Sequence, residues 1–356
     1  MFNQSVGRSR GALLITGAAA LLLGACGSSK TTTAKAGATT VAAKAGTATT
    51  AAAAASGTKL KIAFVMGAES DPFFQAMKVG AEAEAKAKNV ELIWQGDPKE
   101  YSPATQIPVV DQVLALKPDG LVLIPTDPKA MQPSVAKAKA AGIAVSMVDT
   151  KTDDLTDVVS FITGDNADGG SKAADAMAKA MGYKDGSKYK VVIGLTSDTA
   201  TTNTGRRDGF KKQVAAKYPG ISIVDEAFSQ SKPDVANTNV NNWLTKFPDL
   251  NGIFAIDGSN AQGAAAALQA KNLVGKIALV GYDAYPDNVK LVKSGVFTAL
   301  IAQVPAAEAK QAIDDLVQVI TTKKTDGIKH EVVLPNFTLT KDTTEADFAT
   351  YTYVAK

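Results

Sequence analysis

Carboxylate, hydroxyl, guanidinium, amide and phenyl side chains recur where apolar, strand-like runs end or in the loops that follow them. In chain order they are Asp71, Phe73, Phe74, Asp149, Thr150, Arg206, Asp257, Asp283 and Gln303. An ionised carboxylate accepts hydrogen bonds from ligand hydroxyls, and a guanidinium donates in a fork to neighbouring oxygens. Phenyl rings cover the C–H faces of a sugar ring and exclude water. The set therefore indicates a site for a polyhydroxylated ligand.

Each of these residues also has a structural interpretation. Aspartate is a common helix N-cap and turn residue, and Phe73 and Phe74 could close the core where a helix begins. The sequence leaves both interpretations open for any single residue. Because carboxylates recur at several strand ends, the set as a whole favours ligand contact.

The apolar pattern alternates between strand and helix from Thr58 onward. In the first half the predicted strands are residues 60–66, 90–94, 120–124, 144–148 and 158–163, with helices at 73–87, 107–116 and 131–141. The second half has helices at 167–181, 207–217, 235–247 and 260–271, strands at 190–195, 221–227, 252–256, 277–281 and 298–303, and a short helix at 346–353. This rhythm predicts parallel sheets covered on both faces. Two such lobes in tandem form a cleft onto which the strand ends open.

Composition and charge argue against several classes of function. The first 57 of the 356 residues contain five basic and no acidic residues, so subtracting five from the net charge of +3 leaves about −2 for the rest. That part has no basic stripe of the kind that neutralises phosphates, which argues against nucleic acid. The single Cys26 and single His330 argue against an internal disulfide, Ser-His-Asp chemistry and a zinc site. We expect no metal and no cofactor.

The N-terminal segment has the features of an export signal. Arg8 and Arg10 precede an apolar run at 11–23 that is short for a membrane span. The tetrapeptide LGAC that ends at Cys26 resembles the lipobox of bacterial lipoproteins, in which the chain is cut before the cysteine and the sulfur carries a diacylglycerol. The alternative is a short core helix followed by a buried cysteine. We interpret 1–25 as a lipoprotein signal peptide and 26–57 as the lipidated cysteine with a disordered Ala/Thr-rich tether, which predicts an extracytoplasmic, membrane-anchored protein.

Six short motifs occur in the same order as in a known family. They are SDPFF at 70–74, VD at 148–149, TGDN at 163–166, RRDGF at 206–210, GYD at 281–283 and IAQVP at 301–305. Through them residues 58–340 resemble the ribose/galactose-type periplasmic sugar-binding proteins of ABC transporters. The resemblance implies a periplasmic binding protein type I fold, an α/β fold with two Rossmann-like lobes joined by a three-strand hinge. The implied lobes are 58–163 plus 304–334 and 164–303 plus 335–356, with hinge crossings near 163–166, 303–305 and 334–336.

The resemblance also implies roles for individual residues. Phe73 and Phe74 would stack on the ligand. Hydroxyl contacts would come from the polar set Asp71, Asp149, Arg206, Asp257, Asp283 and Gln303. The implied protein is a monomeric lipoprotein, not an enzyme, that captures a sugar or polyol by hinge closure and delivers it to an ABC permease.

The sequence departs from the ribose-binding pattern at three positions. Asp71 and Asp257 stand where ribose binders have asparagine, and Thr150 stands where they have arginine. The cleft is therefore more acidic, which argues against ribose and suits a polyol, a pyranose or a ligand that bears an amine. The stretch 94–98 resembles the subgroup that binds the furanosyl signal autoinducer-2, and Trp94 either adds a third ring to the cleft or packs at its rim.

Two other classes of protein share parts of this pattern. A LacI-type sensor uses the same two-lobed fold but needs a basic helix-turn-helix before the core, where this chain has an export signal and a tether. An extracellular glycosidase would use two of the aspartates as acid and base. Such an enzyme has no signature motif here, and its acids would have to sit among the motifs of sugar binders.

Overall fold

The computed structural model describes residues 59–354, and the predicted signal peptide, Cys26 and the whole of the tether lie outside them. Up to the first change of sheet the elements are β1 (Lys61–Ala68), α1 (Pro72–Ala87), β2 (Glu91–Asp97), α2 (Pro103–Ala115), β3 (Gly120–Leu123), α3 (Gln132–Ala140), β4 (Ala144–Val148) and β5 (Phe161–Gly164). The next are α4 (Asn166–Ala180), β6 (Tyr189–Leu195), α5 (Thr201–Lys217), β7 (Ile221–Phe228), α6 (Pro233–Lys246), β8 (Gly252–Ala255), α7 (Gly258–Ala270), β9 (Ala278–Tyr282), α8 (Pro286–Lys293) and β10 (Ala299–Ala302). The last are α9 (Pro305–Thr322), β11 (Glu331–Leu334), β12 (Phe337–Leu339) and α10 (Glu345–Tyr351).

The strands form two six-stranded sheets of matching order. The first runs β11-β5-β4-β3-β1-β2 and the second β12-β10-β9-β8-β6-β7. All pairings in the first sheet are parallel, and in the second only β12 runs antiparallel, against β10. The chain passes from one sheet to the other after β5, after β10 and between β11 and β12. The predicted α/β class with parallel sheets is confirmed.

The inner strands β1, β3, β4, β5, β8, β9 and β10 are largely buried, as strands of a sheet between two layers of helices are. In β1, Ile62, Phe64 and Met66 pack into one apolar cluster, while Ala63 and Val65 pack into another. Successive side chains of a strand point to opposite faces. The uninterrupted apolar run therefore serves both helical layers, and it places the loop after β1 at the edge of the sheet.

Several helices differ from the predicted ones. Helix α5 begins at Thr201 and not at residue 207, so Arg206 lies on a helix and not in a loop. The prediction was wrong because residues 201–205 are polar or glycine and show no apolar periodicity. Helices α8 and α9 were not predicted, and α10 ends at Tyr351, which leaves Tyr353 beyond the helix. Among the helices of residues 59–354, none combines the length and apolar character needed to cross a membrane.

Candidate functional site

A small cavity of about 40 Å³ lies where the carboxyl ends of strands from both sheets face each other. Its lining consists of Asp71, Phe73, Phe74, Tyr101 and Asp149 from the lobe of the first sheet, with Thr196, Thr202, Asn203, Arg206, Ser231, Asp257, Asp283, Tyr285 and Gln303. Small-molecule sites typically measure about 300–1,000 Å³, so in this structure the walls lie closer together than a typical ligand site requires. The structure brings together eight predicted residues here: Asp71, Phe73, Phe74, Asp149, Arg206, Asp257, Asp283 and Gln303.

Asp149 follows β4 and carries a buried carboxylate that the protein satisfies only in part. Its Oδ1 lies 4.0 Å from Nη2 of Arg206, and none of the residues 59–354 donates a hydrogen bond to that oxygen. Burial raises the pKa of Asp149 to about 7, and the positive charge of Arg206 opposes this increase only in part. A buried acceptor without a donor is unfavourable, so a ligand hydroxyl in the cavity would stabilise this oxygen.

Asp283 follows β9, the strand of the second sheet that corresponds in order to β4. Its Oδ2 accepts from Gly258 N at 2.8 Å, and its Oδ1 accepts from Gln303 Nε2 at 2.7 Å and from the Tyr353 hydroxyl at 3.1 Å. Three donors from three segments therefore hold this carboxylate in one orientation. Asp283 therefore has fewer acceptor positions left for a ligand than Asp149 has.

Asp71 caps helix α1 and also reaches across the cleft. Its Oδ1 accepts from Phe73 N at 3.0 Å, which satisfies a free backbone N–H of the first turn. The hydroxyl of Tyr285, from the lobe of the second sheet, donates to the same oxygen. Burial raises the pKa of Asp71 to about 6, and these hydrogen bonds limit the increase. Asp71 therefore caps the helix and lines the cavity at the same time.

Asp257 caps helix α7 in the same manner. Its Oδ1 accepts from Asn260 N at 2.9 Å, and its Oδ2 accepts from Asn260 Nδ2 at 2.7 Å and from Thr196 Oγ1 at 2.9 Å. Burial raises its pKa, and the capping hydrogen bonds lower it. Asn203 supports this corner of the cavity, because its Oδ1 accepts from Thr196 N at 2.7 Å.

Arg206 is buried and held in one position by two acceptors. Its Nε donates to Asn166 Oδ1 at 2.8 Å, and its Nη1 donates to the carbonyl of Ile256 at 2.9 Å. The guanidinium lies 3.9 Å from the ring centre of Tyr282, a cation–π distance. Burial by itself lowers the pKa of Arg206. The surrounding acidic groups raise this pKa by more than burial lowers it, so the side chain stays charged. Its Nη2 lies 4.0 Å from Asp149 Oδ1, and the side chain lines the cavity.

The two phenylalanines both line the cavity and close the core. Phe73 and Phe74 meet edge to face with centres 5.5 Å apart, and Phe73 meets Tyr353 at 6.1 Å. Both phenyl rings are buried within the apolar cluster of the first sheet. The two interpretations that the sequence left open are therefore compatible.

Thr150 and Trp94, the other two predicted site residues, lie outside the lining of the cavity. Thr150 donates its hydroxyl to the carbonyl of Pro125 at 2.7 Å. Trp94 stacks on Phe64 with ring centres 4.7 Å apart, and the ammonium of Lys78 lies 5.8 Å from its ring. Trp94 therefore packs on the sheet.

Four tyrosine and asparagine residues of the site were missed from sequence, namely Tyr101, Asn203, Tyr285 and Tyr353. Tyr285 lies two residues after Asp283, so the loop after β9 was the signal that could have found it. Tyr353 comes from the C-terminal tail, and its hydroxyl accepts from Gln303 N at 3.0 Å while it donates to Asp283. No local pattern links a tail residue to a strand end so far along the chain.

The two lobes touch directly around the cavity. Besides the bond from Tyr285 to Asp71, Lys232 Nζ lies 3.0 Å from Glu100 Oε1, and the Lys151 backbone N–H donates to Thr201 Oγ1 at 3.3 Å. These contacts join the cavity walls at its edges.

Residues 62–324 match the family model described as a periplasmic binding protein domain. This chain belongs to the periplasmic binding protein family. The predicted family and its type I fold, with two parallel-dominated sheets, are thereby confirmed.

Two curated relatives and one solved structure resemble this periplasmic binding protein. The D-ribose/D-allose-binding protein of Pseudomonas aeruginosa is 30% identical over 283 residues, covering 77% of this chain and 86% of the relative. The xylitol-binding protein of Mycolicibacterium smegmatis is 29% identical over 273 residues, covering 76% and 74%. An ABC transporter solute-binding protein from Agrobacterium vitis, bound with α-D-tagatopyranose, has a TM-score of 0.78 and 31% identity and covers 83% of this chain and 100% of its own.

Proposed function

We propose that this periplasmic binding protein captures a sugar or polyol in the cavity between its lobes and delivers it to an ABC importer. The observation that carries the proposal is Asp149 Oδ1, to which no group of residues 59–354 donates and which lines the cavity together with the fork of Arg206. A ligand with adjacent hydroxyls supplies a donor to the carboxylate and acceptors to the guanidinium. The names of the relatives, which concern ribose, allose, xylitol and tagatose, support the same class.

The acidity of the cavity favours ligands with many hydroxyl donors. Four carboxylates and one guanidinium line it. Three of the carboxylates, Asp71, Asp257 and Asp283, accept hydrogen bonds from the protein, and Asp149 Oδ1 has no donor among residues 59–354. A polyol or pyranose supplies several hydroxyl donors to the carboxylates, and its oxygens can accept from the guanidinium. The rings of Phe73 and Phe74 would cover its C–H face.

Capture by closure of the lobes is part of the proposal. The three segments that join the sheets are short, and the lobes meet at the edges of the cavity through polar contacts. Such contacts can form and break as the lobes rotate about the crossings. Closure would exclude water and strengthen the hydrogen bonds to ligand. The closed shape is then what a permease recognises.

Extracytoplasmic location and a lipid anchor at Cys26 complete the proposal. The family description supports the location, and the anchor has its support in the sequence of residues 1–26. Expression of the Cys26→Ala chain in a lipoprotein-processing bacterium should release the protein from the membrane fraction. Membrane attachment of that variant would contradict the anchor.

A thermal-shift screen tests the binding function. The purified chain is heated alone and with D-ribose, D-allose, D-tagatose, D-galactose and xylitol, each at millimolar concentration. A ligand that binds the folded state raises the midpoint by mass action, by the equivalent of about 2.7 kcal/mol at 100 times its Kd. At least one of these compounds should raise the midpoint of the wild type and not that of Arg206→Ala. No shift with any compound would contradict the proposal.

A ligand bearing an amine is the second candidate, and the surplus of carboxylates over guanidinium in the cavity favours it. Matched pairs such as galactose and galactosamine, or xylitol and an amino-deoxy pentitol, separate the two candidates. Tighter binding of the amine, with an affinity that falls as salt is added, would favour the second candidate. Equal or tighter binding of the neutral partner would favour the first.

A further inference from the structure

A buried glutamate lies at the crossing between the sheets and has no role in the cavity lining. Glu308 is in the first turn of α9, directly after the second crossing, and its side chain is 0% exposed. Within residues 59–354 no group donates a hydrogen bond to either of its carboxyl oxygens. An ionised carboxylate in this state is strongly unfavourable. Glu308 therefore needs a proton or a donor.

Two more acceptor oxygens at the crossings are in the same condition. Gln303 and Asn336 are each 2% exposed, and nothing in the described part of the chain donates to Gln303 Oε1 or to Asn336 Oδ1. The nitrogen of each amide is engaged, since Gln303 Nε2 donates to Asp283 Oδ1 at 2.7 Å and Asn336 Nδ2 donates to the carbonyl of Asp165. These bonds fix which side of each amide is oxygen.

Gln303 and Glu308 lie at the second crossing and Asn336 lies at the third. All three approach Gly164, which lies at the first crossing. A Cβ placed on Gly164 would lie 3.1 Å from Gln303 Oε1, 3.2 Å from Asn336 Oδ1 and 3.8 Å from Glu308 Oε1. The acceptor oxygens thus surround one point beside Gly164, which a larger residue would fill. We call Gly164, Gln303, Glu308 and Asn336 the hinge cluster.

The hydrogen-bond count of the hinge cluster does not balance if Glu308 is ionised. Its two carboxyl oxygens and the two amide oxygens are four acceptors, without a donor among residues 59–354. A proton on Glu308 converts one acceptor into a donor, which leaves three acceptors and one donor in the cluster. Protonation therefore reduces the imbalance.

Most of the charges that face Glu308 also disfavour its ionised form. Asp149 after β4 and Asp283 after β9 disfavour its ionised form, and only Arg206 on α5 favours it. Burial is the largest cause, and together these groups raise the pKa of Glu308 well above the usual glutamate value. The start of α9 favours a negative charge only weakly compared with burial of an unpaired carboxylate.

We propose that Glu308 is a positioning residue: as a neutral acid it donates into the hinge cluster and holds Gln303 in the orientation that supports Asp283 at the ligand cavity. Gln303 is the link, because its oxygen faces the cluster and its nitrogen binds Asp283. An ionised Glu308 would instead attract the Gln303 nitrogen and turn an oxygen toward the Asp283 carboxylate. The effect on ligand affinity rests on the proposed function, whereas the protonation of Glu308 does not.

The proposal predicts that ligand affinity decreases at high pH, so that a plot of affinity against pH has a falling limb. Asp149 and Asp71, whose pKa values are raised to about 7 and about 6, ionise first and strengthen ligand binding as pH rises. Glu308 ionises above its own raised pKa, and affinity then falls. Glu308→Gln carries a permanent donor and cannot ionise, so it should bind within threefold of wild type at pH 7 and lack the falling limb.

Titration calorimetry from pH 5 to 10 tests this, with the best-binding of D-ribose, D-allose, D-tagatose, D-galactose and xylitol as the probe. Asp315→Asn is the control, because Asp315 is a buried carboxyl on the same helix that accepts from Gln311 and does not line the cavity. The control should keep the falling limb. A falling limb that persists in Glu308→Gln, or a tenfold loss of its affinity at pH 7, would overturn the proposal.

Two further measurements keep the test decisive if no probe binds or the variant does not fold. Carbon-13 NMR of the glutamate-labelled wild type should show one carboxyl at the position of a neutral acid at pH 7; its absence would refute the protonated state. The unfolding free energy of Glu308→Gln should rise relative to wild type as pH increases from 5 to 8, because folded Glu308 retains a proton that the unfolded chain has lost. A difference in unfolding free energy that does not change with pH would contradict the protonated state of Glu308. If no probe binds but the NMR and unfolding results are both as expected, only the proposed function is overturned.

Discussion

Asp149 and Asp283 occupy corresponding positions in the two lobes and differ in how their carboxylates are satisfied. Each follows the fourth strand of its lobe, has a left-handed backbone with φ of 63° and 67°, and donates its N–H to the next strand, at Ile162 and Ile301 respectively, at 2.8 Å. Asp283 accepts from three protein donors. Asp149 has an oxygen to which none of the residues 59–354 donates.

The difference shows that one backbone position supports two roles. Where neighbouring segments supply donors, the carboxylate braces the cavity wall. Where only Arg206 is near, at 4.0 Å, the carboxylate remains available to a ligand. The lobe of the second sheet is therefore the prearranged half of the site, and Asp149 is the acceptor that the ligand completes.

Asp283→Ala should have the largest effect on stability. It leaves Gly258 N, Gln303 Nε2 and the Tyr353 hydroxyl without their acceptor, which costs about 2–4 kcal/mol of unfolding free energy. Denaturant unfolding of the unliganded protein measures this loss. Asp149→Ala, at the equivalent position, is the matched control and should lose less than about 1 kcal/mol. Equal losses would remove the distinction between the two residues.

Asp149→Asn should weaken ligand binding by about 10- to 100-fold, because a hydrogen bond to a charged group is worth about 1.5–3 kcal/mol. The unfolding free energy should stay constant or rise, since the variant removes a buried charge without a donor. Calorimetry and unfolding of the same preparation measure both quantities. An unchanged affinity would show that the ligand does not use this carboxylate.

The pH dependence of stability and affinity should have opposite signs. The folded pKa values of about 6 for Asp71 and about 7 for Asp149 exceed the unfolded value of 3.8, so the folded state retains protons that the unfolded state releases. Stability without ligand should therefore decrease from about pH 4 to 7 as these two groups ionise, and Glu308, whose pKa is raised well above the usual value, should extend the decrease above pH 7. Affinity should increase about tenfold from pH 5 to 7 as the carboxylates ionise, and Asp149→Asn should show a smaller increase. A fall in affinity over this range would contradict the assignment.

Tyr353→Phe should lower the unfolding free energy by about 1–2 kcal/mol, because it removes one donor of Asp283 and the acceptor of Gln303 N. Tyr351→Phe is the control, since the ring of Tyr351 stacks on Phe337 outside the cavity. Thermal unfolding of both variants tests the role of the tail. A loss of the same size in the control would assign the effect to general packing of the tail.

Lys232→Met and Glu100→Gln should have the smallest effect. Their ion pair joins the lobes, but both side chains are partly exposed, so it contributes at most about 1 kcal/mol. Ligand affinity should fall less than about fivefold in each variant, and the double variant should match the singles. Additive losses in the double variant would show that the two residues act separately.

The sequence predicted the strand-end carboxylates because a buried parallel strand has a recognisable apolar run, and the residue after it lies at the sheet edge. The same logic found Asp149 and Asp283 but could not separate them, because their donors come from distant segments. Arg206 was placed in a loop because the first turns of α5 have no apolar periodicity. Tyr353 and Glu308 have no local signal, since tertiary packing alone brings them to the cavity and the crossings.

The distance from Asp149 Oδ1 to the nearest ligand oxygen in a crystal structure of the complex tests the central claim most directly. The structure should contain a sugar or polyol in the cavity, with a hydroxyl about 2.5–3.0 Å from that oxygen and with contacts to the Arg206 guanidinium. A ligand bound elsewhere, or one in the cavity that leaves Asp149 Oδ1 without a donor, would contradict it.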